Sequence, residues 1–206
     1  MITAVNLYPG VNTDWQDEIL NPAFVTENVL KIKGGDAIAK YDLSFGYLDQ
    51  KGVVDNSGLT RYNMRLKSNI NVSQKIQLFA SMSLSYLNNA LHEQGIIPET
   101  NPLLAALAKS PMVSPWKKDE YNNLLPDYAP IRDAEGNIRV NDAVSNPLAL
   151  VNTTKIANEG SDVLINGGIH YLLTPDLKLT ALAGLYNSYT HSELFIPGVS
   201  SGAIMP

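Results

Sequence analysis

The chain has no cysteine. That excludes disulfides, thiolate metal sites and cysteine nucleophiles, and leaves the compartment open. It also lacks any run of about 18 apolar residues, which excludes a membrane-crossing helix. Charge is sparse, with 17% of residues Asp, Glu, Lys or Arg and a net charge of −5. With no basic stripe interleaved with aromatics, that balance argues against a nucleic-acid partner. Met1-Ile2-Thr3-Ala4-Val5 has neither a basic n-region nor an apolar h-region and does not read as a signal peptide. An exported protein would carry one upstream, so the chain is expected to be either cytosolic or part of a longer one.

Constellations for chemistry are also missing. His92, His170 and His191 are dispersed, with no metal-ligand spacing, and read as loop or lumen residues. Asp133, Glu135, Gly136 and Asn137 resemble a scrap of a calcium loop without its full pattern; a polar hairpin turn explains them better. Gly34-Gly35 lacks the remaining residues of a phosphate loop. No serine sits in a nucleophile elbow. The sequence therefore supports no enzyme, no catalytic or metal-binding residue and no cofactor, and it leaves the substrate-binding residues unassigned.

What is present is alternation. From Ile76 to Tyr86 the residues Ile76, Leu78, Ala80, Met82, Leu84 and Tyr86 share one face; Gln77, Phe79, Ser81, Ser83 and Ser85 share the other. That stretch has the length of a tilted strand crossing a bilayer, about 9–11 residues, where a soluble strand has about 5–6. The same pattern predicts strands over 39–48, 61–72, 163–172 and 177–187, with a shorter one over 28–33. Tyr41, Leu43, Phe45 and Tyr47 form an apolar face; Arg61, Asn63, Arg65, Lys67 and Asn69 form a polar one. That basic face could bind an anion, although a solvated wall is the plainer reading.

The connections alternate in length. Gly34–Asp36, Ser73–Gln74 and Thr174–Asp176 are short; Asp49–Leu59 is longer; 88–159 is very long and proline-rich. Within the last, Pro102 to Lys109 reads as a short helix with proline in its first turn, and 131–140 as a polar hairpin. Asn12 to Ile19 reads as a short helix or turn, and the residues after Tyr189 as the start of another loop. Short turns at one end and long loops at the other are the signature of an up-and-down transmembrane barrel. Tyr47, Tyr62 and Tyr86 then fall at the long-loop end of the apolar face, and Tyr41 and Tyr171 at the short-turn end, as two interfacial girdles. The expected fold is all-β: antiparallel up-and-down strands forming part of a large transmembrane β-barrel, with one long loop (about 88–159) containing a short helix. The rival is a self-standing soluble or secreted β-rich module whose aliphatic face packs on a second sheet.

Several of these residues also carry a family resemblance. Asn12-Thr13-Asp14-Trp15-Gln16-Asp17-Glu18-Ile19 is similar to the "DWQDE" stretch of SusC/RagA-type TonB-linked outer-membrane proteins of Bacteroidetes. Leu30 to Gly35, the run Tyr41 to Val54 with its Ser-x-Gly-Tyr-x-x-Gln-x-Gly pattern, Arg61-Tyr62-Asn63-Met64-Arg65-Leu66 and Asn146-Pro147-Leu148-Ala149 fit the same family. The resemblance covers roughly residues 12–190, though such transporters have about 22 strands and about six are legible here. It implies that 1–206 is an internal barrel section without a plug domain. It further implies an outer-membrane location and a role in energised import of glycans or peptides. The implied partners are the remaining barrel and plug, a SusD-like surface lipoprotein, TonB acting through the parent protein, and the lipid bilayer.

Overall fold

A computed structural model describes residues 11–98, 100–118, 121, 123–128 and 144–195. The expected hairpin at 131–140, with Asp133, Glu135 and Asn137, lies outside the described residues. Six long strands dominate: β1 (Val25–Gly35), β2 (Ala39–Lys51), β3 (Gly58–Asn71), β4 (Ile76–Ala90), β7 (Lys155–Thr174) and β8 (Leu177–Phe195). They form one antiparallel sheet in the order β1-β2-β3-β4-β7-β8, each beside its neighbours along the chain once the long connection is discounted.

Every strand is longer than expected, although β3 stops at Asn71, one residue short of its predicted end. β1 starts at Val25, not 28; β7 starts at Lys155, inside the expected loop; β8 continues to Phe195, where the sequence reads as the start of a loop. The extra residues are polar or irregular in pattern, yet their backbone groups are paired by a neighbouring strand. Ladder pairing, not alternation, extends a strand past its apolar segment.

The short turns behave as the sequence requires. Gly35 takes a φ of 137°, open to glycine and hard for other residues. Asp36 then accepts hydrogen bonds from the amides of Ile38 and Ala39, both at 2.8 Å. The Ala39 and Ile38 amides hold its carboxyl below the usual carboxylate value. Asn56, at φ 57°, turns the chain between β2 and β3; asparagine tolerates this region better than most residues.

The long connection is not irregular. It holds α1 (Pro102–Ala108), a two-stranded ribbon of β5 (Trp116–Lys118) and β6 (Leu124–Tyr128), and α2 (Pro147–Thr153). α1 matches the predicted helix; the ribbon and α2 correct the expectation of loop. Both helices start alike, with an Asn cap and Pro at the first helical position. The Asn101 side chain accepts from the Leu103 and Leu104 amides, and Asn146 from Leu148 and Ala149. Each cap satisfies donors that a short helix leaves orphaned.

The only buried hydrophobic residues among those described lie off the six-stranded sheet. They are Trp15 and Ile19 in the N-terminal turn, Ala105 and Ala106 in α1, and Leu148 to Val151 in α2. Trp15, Ile19, Ala106 and Val151 cluster, with Leu20, Val54 and Val113 against them. The Trp15 indole donates to the Ser110 carbonyl at 2.9 Å. Asn56 donates to the Val151 carbonyl at 3.2 Å and to the Asn152 side chain at 2.9 Å. A small core therefore knits the long connections together at one end of the sheet. The acidic stretch around Trp15 is a turn, closed by Asp14 accepting from the Gln16 and Asp17 amides.

Asn146 is the joint of this assembly. Besides capping α2, its Nδ2 donates to the Pro115 carbonyl at 2.7 Å, fully buried. Asn146→Ala should cost about 2 kcal/mol or more, from a lost cap and an orphaned carbonyl. Limited proteolysis should then cut the 91–154 connection faster while strand circular dichroism stays constant. An unchanged cutting rate would show that the cap does not fix α2.

Candidate functional site

The site is the sheet itself, because its two faces differ and, among the described residues, neither has a covering layer. Residues directly opposite in an antiparallel pair share a face, so the register assigns each side chain. One row reads Leu30, Phe45, Met64, Leu84, Val163; the next reads Ile32, Leu43, Leu66, Met82, Ile165, Leu185. Two rows further on come Ala39, Ile70, Leu78, Ile169 and Ala181. A soluble protein would bury such a face. Here Leu30 is 58%, Ile165 47% and Leu185 63% exposed. The second sheet that a soluble module needs is absent among the described residues, where the other sheet is the two-stranded ribbon.

The apolar band has boundaries. At the long-connection end it closes on a row containing Tyr47, Tyr62, Tyr86 and Tyr189. The Tyr47 and Tyr62 rings lie 5.1 Å apart, and Tyr62 and Tyr86 6.4 Å apart. The next row on the same face is polar at every strand: Thr26, Asp49, Thr60, Asn88, Glu159, His191. Tyr41 and Tyr171 stand toward the short-turn end, Tyr171 opposite Ile76 and Leu179. Ile76 and Tyr86 are ten residue steps apart along β4. At about 3.4 Å per step and a barrel tilt of about 40°, these project to about 26 Å, against about 25 Å for the apolar belt of outer-membrane barrels.

The opposite face is mostly polar on β2, β3 and β4 and mixed on β7 and β8, where it carries Leu164 and Leu182. Lys33 pairs with Asp42 at 3.1 Å, and the row continues through Lys67, Ser81 and Asn166. The neighbouring row holds Lys31, Ser44, Arg65 and Ser83 before reaching Leu164 and Tyr186. Tyr186 donates to Asp162 at 3.0 Å. Gly168 leaves room for the Phe79 ring, which a β-carbon there would strike. Phe79 stacks on His170 at 4.7 Å, and His170 Nδ1 lies 2.9 Å from the Thr180 hydroxyl.

The histidines stay apart. His92 lies in the long connection, its Nε2 2.6 Å from the Asp55 carbonyl, and His170 is on the polar face. His191 corrects the loop-or-lumen expectation: it is in β8, on the Tyr189 side, one row beyond the tyrosines. Among the described residues no three His, Asp or Glu side chains gather as metal ligands. Sequence reasoning missed the polar row beyond the tyrosines and the part of Asn56 and Asn146 in tying the loops. The paired Asn-Pro-Leu triplets at 101–103 and 146–148 are the signal that could have revealed α2.

No family model matches the chain. TonB-dependent receptor P26 of Formosa agariphila is 30% identical over 105 residues, 51% of this chain and 10% of the relative. TonB-dependent receptor P3 of the same organism is 34% identical over 67 residues, 32% of this chain and 7% of the relative. TonB-dependent receptor SusC of Bacteroides thetaiotaomicron is 41% identical over 51 residues, 25% of this chain and 5% of the relative. The matches thus span a tenth or less of each curated relative. Among solved structures, the RagAB peptide importer in its closed-closed state superposes with a TM-score of 0.69 at 18% identity, covering 93% of this chain and 21% of that one. Its open-open state gives 0.66 at 19% identity, over 89% and 20%. The chain is thus similar in sequence to short stretches of TonB-dependent receptors, SusC among them, and has the fold of about a fifth of a RagAB importer chain.

Proposed function

We propose that residues 1–206 serve as barrel wall in a TonB-dependent transporter that imports glycans or peptides and that this stretch does not transport alone. The observation that carries the reading is the bounded apolar band. Its tyrosine row is followed on every strand by a polar row, as a bilayer boundary requires. The apolar face meets lipid and the Lys31–Arg65 face lines the lumen. The knitted connections around Trp15, α1 and α2 then stand on the outer side as the long loops.

The partners follow from the same reading. The remaining wall and a plug complete the barrel, TonB supplies energy through the whole protein, and a SusD-like lipoprotein covers the outer end. The RagAB complexes are peptide importers, and that supports transport as the shared activity. Cells in which the chain's coding sequence is disrupted should lose uptake of one labelled oligosaccharide or peptide class, as should cells lacking TonB. Uptake preserved in the disrupted cells for every class supplied would sink the transport reading.

A further inference from the structure

The apolar face carries two concavities stacked on the same three strands. The first is a groove of about 680 Å³ that runs across the sheet from β1 to β7. Its walls are the tyrosine row, Tyr47, Tyr62 and Tyr86, and the apolar row beneath it, Phe45, Met64 and Leu84. On β7 the residue opposite Tyr86 is Ser161, so the row opens there on a small side chain. The second is a pocket of about 510 Å³ on the far side of the tyrosines, toward the long connections. Asp49, Thr60 and Asn88 line it. Each is the next residue outward on the same face as Tyr47, Tyr62 and Tyr86, about 6.8 Å further along its strand. Lys51, Asn21 and Asp55 complete the pocket, with Lys51 3.7 Å from Asp49 and the Asn21 amide donating to Asp55 at 2.7 Å. Completing the barrel leaves both concavities uncovered. A plug fills the inside, against the other face, and β2, β3 and β4 are already paired on both sides.

We propose that the two concavities form one site for a lipid with a saccharide head, its acyl chains in the groove and its sugar hydroxyls in the pocket. The inference rests on the barrel-wall reading, which places the apolar face in lipid, and adds a specific ligand to that surface. The change of chemistry at the tyrosine row supplies the argument. A groove walled by aliphatic side chains and aromatic rings releases water when an alkyl chain enters it. Four strand spacings of about 4.8 Å give it a length of about 19 Å, room for a long chain. A head that follows the chain outward meets Asp49, Thr60 and Asn88 side by side on three adjacent strands. Carboxylates accept hydrogen bonds, and hydroxyls and amides both donate and accept, so together they suit sugar hydroxyls. A bare phosphate head fits poorly, because Lys51 stands against two carboxylates, Asp49 and Asp55. An ammonium head needs one carboxylate and would leave Thr60, Asn88 and Asn21 unused.

The test uses the whole transporter, plug and wall together, exchanged from detergent into phosphatidylcholine nanodiscs. Three probes with identical palmitoyl chains are supplied at equal mole fraction: a digalactosyl diacylglycerol, a phosphatidylglycerol and a phosphatidylethanolamine. Native mass spectrometry after release from the disc counts the probe molecules that stay on the protein. The galactolipid should be retained at least about fivefold more than either phospholipid. Thr60→Val/Asn88→Leu should abolish that preference. Ser161→Tyr, which closes the opening in the tyrosine row, should lower retention of all three probes. Ala181→Leu, on the same face opposite Ile169 near the short turns, should change nothing. Equal retention of the three probes, or a preference for either phospholipid, overturns the inference without any variant. Galactolipid retention untouched by Thr60→Val/Asn88→Leu or by Ser161→Tyr overturns the site. A dimer of barrels that excludes every probe and separates in Ser161→Tyr would make the groove a contact between copies, and overturns it as well. Failure here in a protein that still runs as a membrane-inserted, heat-modifiable barrel sinks this inference alone; a protein that leaves the membrane without detergent sinks the barrel-wall reading beneath it.

Discussion

Met82→Arg should reduce assembly of the membrane-inserted barrel far more than Ser83→Arg. The two positions are adjacent in sequence and opposite in facing. Met82 occupies the row Leu43, Leu66, Met82, Ile165, Leu185 near the middle of the apolar band. An arginine on the lipid face at mid-depth costs about 2–4 kcal/mol, a factor of about 30 or more in the folded population. Ser83 stands opposite Arg65 on the polar face. There the added charge meets water and one like charge, a cross-strand cost of about 1 kcal/mol or less. Heat-modifiability gels of the assembled barrel report the folded fraction of each variant. Equal losses in the two variants would refute the facing and, with it, the assignment of the apolar band to lipid.

The facing was legible in the sequence because it depends on a period of two, which any buried or lipid-covered strand must keep. Leu78, Met82 and Leu84 could not change sides without a register slip that would move every partner in the row. The alternation of short and long connections was legible because the apolar pattern breaks at each, at Gly34-Gly35-Asp36, Ser73-Gln74 and Thr174-Pro175-Asp176 for the short ones. Strand ends were not. Lys155 to Glu159 and Ser192 to Phe195 carry no clean alternation, and they are strand because a neighbour's backbone pairs with them. The organisation of the long connection was hidden by its composition. α2 is a seven-residue helix whose residues from Leu148 to Val151 are all buried, so no amphipathic period marks it. Only the Asn-Pro start betrays it. The basic face of β3 was visible as Arg61, Arg65 and Lys67. That Lys31, Lys33 and Lys40 join it needs the pairing of β1, β2 and β3.

On its own in detergent-free buffer, the 206-residue chain should sediment as aggregates or large oligomers. Two features of the sheet require this. The first is its edges: among the described residues β1 pairs only with β2, and β8 only with β7. β8 runs for 19 residues, every one of them exposed. Its outward-pointing backbone groups, about half of them, meet no neighbouring strand among the described residues, and such an edge is a template for another chain. In lipid the same groups would each cost several kcal/mol, so inserting the chain alone gives no relief. The second feature is the apolar face. Leu30, Phe45, Ile165, Leu179 and Leu185 are all exposed and belong to one contiguous band, well above the few hundred Å² of apolar patch usual on a soluble monomer. The small core around Trp15 and Ile19 cannot compensate, because it packs loops and covers none of that band. Detergent should disperse the chain, and neighbouring barrel strands should do so better, since they close the edges as well as the face. Analytical ultracentrifugation with and without detergent measures the effect. A monomer with a cooperative melt in plain buffer would show that the aliphatic faces find cover within the chain, and would favour a soluble β-rich module over a membrane barrel.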